Sequence, residues 1–291
     1  MREIAALLYT LVSAQLICMS EETKLRLLQA EDIPSALELS AEAGWNQTAD
    51  DWRMLIDLAP ESCLAIEVDG ELATTTTLLC YGKRLAWVGM VLTRIKFRGQ
   101  GLARRLLSEV LKLADRMNIE TVKLDATDQG QPLYEKLGFR SEQPVERWAR
   151  AGRGSTIEFD AQSELLSAEQ LGADHEAFGA ERSQFLQKLA IRNFPLVVGE
   201  SYLLARSGNR TAYLGPCISG DTDIARSLIH RCLQSTAAAI SWDLLKQNRN
   251  AEAIAKDLGF TPQRHLTRMV RGKDLRGREE SVYALGGFEF G

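Results

Sequence analysis

The segment that most constrains this chain is Met90–Ala103, where an apolar stretch runs through a basic, glycine-containing turn directly into a helical pattern. The N-terminus of a helix exposes unpaired backbone N–H groups and carries a partial positive charge, so it is a ready anion site. Gly99 and Gly101 let an anion approach the backbone closely because they lack a Cβ atom. The basic residues around the turn are Lys96, Arg98, Arg104 and Arg105. This combination predicts a pyrophosphate-binding loop at Arg98–Ala103.

Two better-known phosphate loops do not fit this sequence. The chain has no Gly-x-x-x-x-Gly-Lys-Ser/Thr motif, so it lacks a P-loop. It also lacks a complete Gly-x-Gly-x-x-Gly with an acidic residue about 20 positions on, the fingerprint of a dinucleotide-binding fold. The remaining alternative is a tight strand-to-helix turn with a solvated basic rim.

The overall charge balance requires any anion site to be local. The formal net charge is −4, so we expect neither nucleic-acid nor membrane binding. The 291 residues, 45% hydrophobic and 25% charged, are typical of a soluble globular protein with two ordinary domains or one large one.

The five cysteines contain no CxxC pair and no histidine stands at metal-ligand spacing, so we expect no metal site. We interpret the cysteines as buried, reduced packing residues of a cytoplasmic protein.

Residues 1–20 are predicted to be an N-terminal extension outside the fold. Ile4–Ile17 is mostly apolar, but it is shorter than the roughly 20 residues that span a bilayer. Met1-Arg2-Glu3 is not a positively charged signal-peptide start, and no small-x-small cleavage site follows. Met19-Ser20-Glu21 opens a polar stretch that is typical of a protein start.

From Lys24 onward, short strands alternate with helices, which predicts an α/β (α+β) fold. Asp69-Gly70 marks a hairpin, and Gly101–Asn118 carries apolar residues at helical spacing. Arg150–Thr156 is small, polar and glycine-rich, which suits a linker. We therefore predict one domain over residues 21–150 and a second over residues 151–291.

A similar order of elements recurs in the second half. A hairpin within residues 202–214 precedes a helix at Ile224–Ala238, a strand, and a helix that ends in Leu258-Gly259-Phe260. The first unit ends in the same way, with Leu137-Gly138-Phe139. This repetition predicts two copies of one architecture. The alternative is coincidence, since Leu-Gly-Phe is a common helix-end signature.

Two motifs in the first half resemble those of one enzyme superfamily. Arg98-Gly99-Gln100-Gly101-Leu102-Ala103 resembles the Arg/Gln-x-x-Gly-x-Gly/Ala pyrophosphate loop of the GNAT acetyltransferases. Thr127–Phe139 resembles their Asn-x-x-Ala-x-x-Leu-Tyr-x-x-x-Gly-Phe segment. The departures are Thr127 for the usual Asn and Gly130 for the usual Ala. Both motifs occur in the family's order, and the resemblance covers about residues 24–150.

The resemblance implies an N-acetyltransferase that moves an acetyl group from acetyl-CoA to a primary amine of a small molecule or peptide. It implies two GNAT-like domains, each a mixed central sheet flanked by helices. Acetyl-CoA would lie in a wedge between the strands that end near Leu92 and Asp125, with its pantetheine arm paired to the backbone of Val91 and Thr93. The residues expected to bind it are Val91, Leu92, Thr93, Arg98, Gly99, Gln100, Gly101, Leu102, Ala103, Arg104 and Thr127.

By the same resemblance, Tyr134 is the expected acid that protonates the CoA sulfur, and a backbone N–H near Val91 or Leu92 stabilises the oxyanion. The alternative for Tyr134 is a packing role beside Phe139. Asp125 is the candidate base, although an aspartate there equally often caps the following turn.

Four further positions are candidate bases or substrate contacts. Glu67 and Asp69 are weaker candidates for the base, and Asp69 belongs more naturally to its hairpin turn. Trp45 and Asn46, in the loop between the first two helices, are the candidate substrate contacts. Trp45 alternatively anchors that loop.

The second unit resembles a degenerate GNAT-like domain. Asp221 and Asp223 put negative charge where a pyrophosphate would bind, and Asp221 can cap the helix instead. Ala255 stands where Tyr134 would be expected. We expect this unit to wall the substrate site, bind a ligand or form a homodimer. Asp174–Gly179 is either a segment near the shared cleft or a plain helix–loop segment.

A second hypothesis, from a different class of function, is a non-catalytic acyl-CoA-binding or sensing module. It keeps the loop at Arg98–Ala103 and loses turnover. The presence of Tyr134 favours the enzyme, whereas the lack of a clear base leaves the second hypothesis open.

Overall fold

The structure is a computed structural model that describes residues 22–154, 165–193 and 195–291. The predicted extension at residues 1–20 and the end of the predicted linker, at residues 155–156, lie outside the described residues.

The described residues form a twelve-stranded sheet with helices packed on it. The strands, in chain order, are β1 (Thr23–Leu27), β2 (Cys63–Val68), β3 (Glu71–Tyr81), β4 (Leu85–Thr93), β5 (Thr121–Ala126), β6 (Arg140–Arg150), β7 (Leu196–Val198), β8 (Ser201–Arg206), β9 (Ala212–Ile218), β10 (Ile240–Leu245), β11 (Thr261–Gly272) and β12 (Val282–Ala284). The α-helices are α1 (Ile33–Glu42), α2 (Ala49–Leu58), α3 (Leu102–Arg116), α4 (Gln131–Lys136), α5 (Ala168–Phe178), α6 (Ser183–Arg192), α7 (Thr222–Gln234) and α8 (Arg249–Asp257). Short 3-10 helices cover Ala30–Asp32, Ile95–Phe97 and Glu279–Ser281.

Each half of the chain contributes one long strand to the other half: β11 lies between β5 and β6, and β6 lies between β11 and β10. The sheet order is β1-β2-β3-β4-β5-β11-β6-β10-β9-β8-β7, with β12 paired to β9. Asp125 of β5 lies opposite Arg268 of β11, and Arg147 of β6 lies opposite both Arg264 of β11 and Asp243 of β10. The predicted mixed sheet flanked by helices is therefore confirmed, in the form of one continuous sheet that both halves share.

Helix α3 buries most of its apolar side chains against the sheet. It packs on β2, β3 and β4 beside the wedge described next. Its buried side chains are Leu102, Leu106, Leu107, Val110, Leu111 and Ala114. Leu113 is half-buried, and Met117, which follows the last residue of the helix, is exposed.

Strands β4 and β5 run parallel but separate after three residues. Leu85–Trp87 pairs with Thr121–Lys123, and no pair between these strands is formed beyond that point among the described residues. Farther along, β4 continues beside β3 and β5 beside β11. The divergence opens a wedge in the sheet, and the candidate site lies there.

The corresponding wedge of the second half is filled by the chain itself. Strand β9 pairs with β10 over Ala212–Leu214, and β12 then lies against the end of β9 at Cys217 and Ile218. Just after β12, the backbone N–H of Leu285 donates to the Asp243 carbonyl of β10, at 2.8 Å. The space between the diverging strands is therefore occupied by residues 282–285.

The described cysteines are Cys63, Cys80, Cys217 and Cys232, and none of them forms a disulfide with another described residue. Burial raises the pKa of Cys80 to about 11 and that of Cys63 to about 12, so these thiols stay protonated. Their surroundings agree with the predicted packing role. Within the same described ranges, no helix is long and apolar enough to cross a membrane.

Candidate active site

The wedge between β4 and β5 opens into a cleft of about 450 Å³. Its walls come from both halves of the chain: β4, β5, the loop after β5, α4 and the loop before α2, together with β6, β11 and the C-terminal tail. The lining residues are Glu42, Ala43, Trp45, Gln47, Val88, Gly89, Met90, Val91, Leu92, Thr93, Arg98, Ala103, Leu124, Asp125, Thr127, Gln129, Gly130, Leu133, Tyr134, Arg147, Arg264, Leu266, Phe288 and Glu289.

The predicted pyrophosphate loop lies between this cleft and the start of α3. Gly99 and Gly101 both have φ of +79°, a left-handed conformation that favours glycine, and a Cβ on either would meet no atom within 4 Å. Gly101 precedes α3 without a side-chain cap, so the first N–H groups of the helix have no intrahelical partner. The loop therefore presents an uncapped helix N-terminus beside the cleft, as an anion site requires.

The side chains of this loop divide into two groups. Arg98 and Ala103 line the cleft, and Arg98 Nε donates to the Thr93 carbonyl at 3.1 Å. Leu102 is buried in the core, whereas Gln100 and Arg104 are exposed outside the cleft lining. The residues beyond Arg98 and Ala103 can thus contribute backbone N–H groups or long-range charge.

The basic cluster around the loop is smaller than its sequence indicates. Lys96 pairs with Glu71 of β3, which neutralises it. Arg98, Arg104 and Arg105 form no salt bridge with any described residue, so these three supply the positive charge. The partner of Lys96 lies 25 positions away, at the start of β3, and local sequence does not show the pair.

A run of threonines holds the bulged end of β4. Met90 has φ of +49°, and the pairing of β4 with β3 shifts by one residue there. Thr74 Oγ1 donates to the Leu92 carbonyl at 2.6 Å, and Thr75 Oγ1 donates to the Met90 carbonyl at 2.9 Å. These bonds keep Val91, Leu92 and Thr93 turned along the open side of the wedge, where all three line the cleft. The sequence analysis overlooked Thr74–Thr77, although four successive threonines are an uncommon pattern.

Tyr134 lies in the cleft wall and packs edge-on against Phe139, with ring centroids 6.0 Å apart. Its side chain is almost entirely buried, and burial raises its pKa above the ordinary 10.0. An alanine methyl at Gly130 would lie 3.0 Å from Tyr134 Cε2, so the departure from the family's Ala makes room for this ring. Thr127 also lines the cleft, and its Oγ1 accepts from the Gly130 N–H at 3.2 Å.

Asp125 reaches the cleft, but both of its carboxylate oxygens are occupied. Arg268 Nε donates to Oδ1 at 2.9 Å, and Arg268 Nη2 donates to Oδ2 at 3.0 Å. Burial raises the pKa of Asp125, and the Arg268 guanidinium opposes that rise. Such a bidentate pair joins β5 to β11, and each oxygen of Asp125 already accepts one charge-assisted hydrogen bond.

The two weaker base candidates lie elsewhere. Glu67 accepts from Arg26 Nε at 2.5 Å, and neither Glu67 nor Asp69 is among the residues that line the cleft. Asp69 has φ of +51° in the hairpin turn and accepts from the Glu22 N–H, so its interpretation as a turn residue is confirmed.

The structure separates Trp45 from Asn46. Trp45 lines the cleft, whereas Asn46 lies outside its lining and is buried against the hairpin between β8 and β9. Asn46 Nδ2 donates to the Thr211 carbonyl at 2.9 Å, and its Oδ1 accepts from the Arg210 N–H at 2.6 Å. These hydrogen bonds join the two halves and favour a structural role for Asn46, whose substrate contact stays a prediction. Gln47, which the sequence analysis did not select, lines the cleft instead.

A carboxylate that the sequence analysis missed comes from the C-terminal tail. The Trp87 indole N–H donates to the Phe288 carbonyl at 2.8 Å, and the Tyr81 hydroxyl donates to the Phe290 carbonyl at 2.7 Å. These bonds place Glu289 in the cleft wall beside Gly89 of β4. Its position, 200 residues from β4, has no local sequence signal.

Glu289 is buried, and only one of its oxygens is hydrogen-bonded by a described side chain. Arg206 Nη2 donates to Oε1 at 2.7 Å, while Oε2 is buried with no hydrogen-bond partner among the described residues. Burial raises the pKa of Glu289, and Arg206 opposes the rise. A buried carboxylate with one unpaired oxygen has the properties of a proton acceptor.

In the described part of the second half, the positions that correspond to the predicted pyrophosphate loop and to Tyr134 have other roles. Asp221 Oδ1 accepts from the Asp223 and Ile224 N–H groups at 2.7 and 3.0 Å, so the cap predicted for α7 is confirmed. Ala255 is fully buried in the core. Asp174–Gly179 is the end of α5 and its cap, and Asp174 pairs with Arg182 outside the cleft lining.

Comparisons with known proteins agree with this geometry. Two family models, each described as an acetyltransferase (GNAT) domain, match residues 36–150 and residues 171–284. A curated relative, the uncharacterized N-acetyltransferase YitH of Bacillus subtilis, is 24% identical over 245 residues, which are 80% of this chain and 86% of the relative.

Two solved structures share the fold. A Pyrococcus horikoshii protein assigned as an acetyltransferase is 18% identical, has a TM-score of 0.81, and the match covers 92% of this chain and 96% of that one. A GCN5-related N-acetyltransferase from Sphaerobacter thermophilus is 16% identical, with a TM-score of 0.61 and coverage of 88% and 98%. Since a family model matches each half, this chain belongs to the GNAT family, as an acyltransferase with two GNAT domains in tandem.

Proposed function

We propose that this chain transfers an acetyl group from acetyl-CoA to a primary amine of a small molecule or peptide, at the wedge between β4 and β5. The observation that carries the proposal is the divergence of these strands beside the uncapped N-terminus of α3. One acetyl-CoA would bind per chain, because residues 282–285 fill the second wedge and Asp221 caps the second helix.

The residues present fit acetyl-CoA. The backbone of Val91, Leu92 and Thr93 would pair with the pantetheine arm along the open edge of β4. The N–H groups of residues 99–104 and the Arg98 guanidinium would bind the pyrophosphate, for which Gly99 and Gly101 leave open space. The Thr127 hydroxyl would supply a further polar contact.

When bound, acetyl-CoA supplies the acetyl group and a thiolate leaving group. Tyr134 donates a proton to that sulfur, and its raised pKa keeps the proton on the hydroxyl across the neutral range. Glu289 takes the proton of the acceptor amine at Oε2 as the nitrogen attacks the acetyl carbon. Asp125 keeps Arg268 and β11 in position and moves no proton.

The second domain walls the acceptor end of the cleft in this proposal. It contributes Arg264 and Leu266 from β11, and Phe288 and Glu289 from the tail. The first domain alone supplies the acetyl-CoA contacts but lacks this wall.

The test is CoA release across a panel of amines, with Tyr134→Phe as the diagnostic variant. We expect this variant to lower kcat by about 10²- to 10⁴-fold, the usual contribution of an acid–base group, and to keep the acetyl-CoA Kd within about twofold. Tyr283→Phe is the matched control, since that hydroxyl bonds Thr222 in the second domain at 2.7 Å. Tight acetyl-CoA binding without CoA release for any amine would support the non-catalytic acyl-CoA-binding or sensing module instead.

A further inference from the structure

The wall of the cleft formed by β6 and β11 carries an arginine whose charge is not paired. Arg264, Leu266 and Arg268 alternate along β11 in regular register with β6, so their side chains share one face of the sheet. Arg268 is bound to Asp125. Arg264 is half-buried and lines the cleft, yet it forms no salt bridge with any residue in the described ranges.

The neighbours of Arg264 explain why it has no partner. Arg147 lies directly across from it on β6, and both oxygens of Asp243 are taken by Arg147, at 2.7 and 2.6 Å. The Arg264 guanidinium lies over the Trp45 ring, 5.8 Å from its centroid. Burial and then the charge of Arg147 lower the pKa of Arg264. An anionic group on a ligand would stabilise a half-buried cation in this position through a charge-assisted hydrogen bond.

Two residues that line the same cleft, Gln47 and Glu289, each have a buried acceptor oxygen without a partner among the described residues. Glu289 Oε2 and Gln47 Oε1 are both buried, and no described residue donates a hydrogen bond to either. An ammonium or amine group has the N–H donors that these oxygens lack. Gln47 and Glu289 therefore suit a donating group, whereas Arg264 suits a negative one.

We infer that the acceptor is an amine that also carries a carboxylate, as an amino acid does, and that Arg264 binds this carboxylate. The inference rests on the proposed function and specifies its substrate class. The guanidinium fork matches a carboxylate in a bidentate arrangement, with the apolar part of the acceptor against Trp45 and Phe288. The pyrophosphate of acetyl-CoA would bind at the separate loop Arg98–Ala103, so Arg264 is available to bind the acceptor.

The experiment uses pairs of acceptors that differ in the carboxylate alone: lysine with cadaverine, and phenylalanine with phenethylamine. We expect the amino acid of a pair to have the higher kcat/KM, by about 10- to 150-fold for one charge-assisted contact. Arg264→Gln should reduce that ratio to within about threefold while leaving the acetyl-CoA Kd unchanged. Arg264→Lys, which keeps the charge and loses the fork, should give an intermediate ratio.

Arg271→Gln is the matched control, because Arg271 lies on the same strand and pairs with the exposed Asp115 outside the cleft. It should leave the ratio unchanged. Calorimetric binding of the same pairs to the complex with CoA tests the carboxylate preference even where no transfer occurs.

Three results would overturn the inference: equal kcat/KM and equal affinity within each pair, no binding of either member, or an Arg264→Gln variant that weakens acetyl-CoA. A carboxylate preference in binding without CoA release would refute the proposed transfer and retain the role of Arg264.

Discussion

Breaking the Asp125–Arg268 pair tests whether Asp125 has a structural role or a catalytic one. The side chain of Asp125 is 0% exposed and that of Arg268 is 7% exposed, and two hydrogen bonds join them. Asp125→Asn keeps the shape but turns an amide N–H₂ toward the guanidinium and leaves a buried charge without a counter-charge. Breaking one partner of a buried pair costs about 3–5 kcal/mol, out of a total stability of about 5–15 kcal/mol for an ordinary domain.

Urea denaturation measures the change in the free energy of unfolding. Asp115→Asn is the control, because the Asp115–Arg271 pair is also bidentate, at 2.8 and 3.0 Å, but its side chains are 55% and 30% exposed. We expect a loss of about 1 kcal/mol or less there, as for surface ion pairs. The double variant Asp125→Leu/Arg268→Met should recover most of the lost stability, since no buried charge remains.

Kinetics complete this test. Glu289 must lose its proton to act as the base, so we expect kcat to rise with pH. In the folded fraction of Asp125→Asn this rise should keep its midpoint, because Asp125 moves no proton in our scheme. If Asp125→Asn is as stable as the Asp115 control and the pH-dependent rise disappears, Asp125 is the base and the assignment to Glu289 is wrong.

Three other outcomes follow from the geometry. Gly101→Ala forces a left-handed φ of +79° on a residue with a Cβ, which costs about 1–2 kcal/mol. This variant should raise the acetyl-CoA Kd measured by calorimetry, whereas Gly172→Ala, inside a helix, should leave that Kd unchanged. Asn46→Ala should lower unfolding stability by about 1–3 kcal/mol through lost bonds to residues 210–211, and a raised acceptor KM with unchanged stability would contradict this. Glu289 must be deprotonated to accept a proton, and burial raises its pKa, so kcat should rise with pH at a midpoint above 4.5. Glu289→Gln should abolish that rise. Persistence of the rise in this variant would exclude Glu289 as the base.

Local sequence was enough to predict the residues of the proposed acetyl-CoA half of the site. Gly99 and Gly101 were selected because a strand-to-helix turn needs glycine, and both adopt the left-handed conformation. Tyr134 was selected by its place in a motif, and it lies in the cleft wall with raised pKa. These assignments depended on residues close together in the chain, whose backbone geometry is set mainly by their neighbours.

The acceptor half could not be located in the same way. Asn46 and Asp125 have the side chains that a substrate contact or a base needs, but each is engaged by a residue more than 140 positions away, Thr211 and Arg268 respectively. Glu289 and Arg264 have no motif around them. A polar residue type shows which chemistry is available, whereas its hydrogen-bond partners decide whether that chemistry is free to act.

The sequence by itself determined the order of strands and helices, the repeated architecture, the glycine turn before α3 and the aspartate cap of α7. Hydrophobic periodicity, glycine turns and helix caps act over a few residues, so they can be read along the chain. The tertiary structure decided that the halves exchange β6 and β11, that residues 282–285 fill the second wedge, and that Glu289 and Arg264 reach the first cleft. These contacts join segments at least 42 residues apart along the chain. They arise from strand pairing and burial across the shared sheet, and the residues next to them in the sequence do not indicate them.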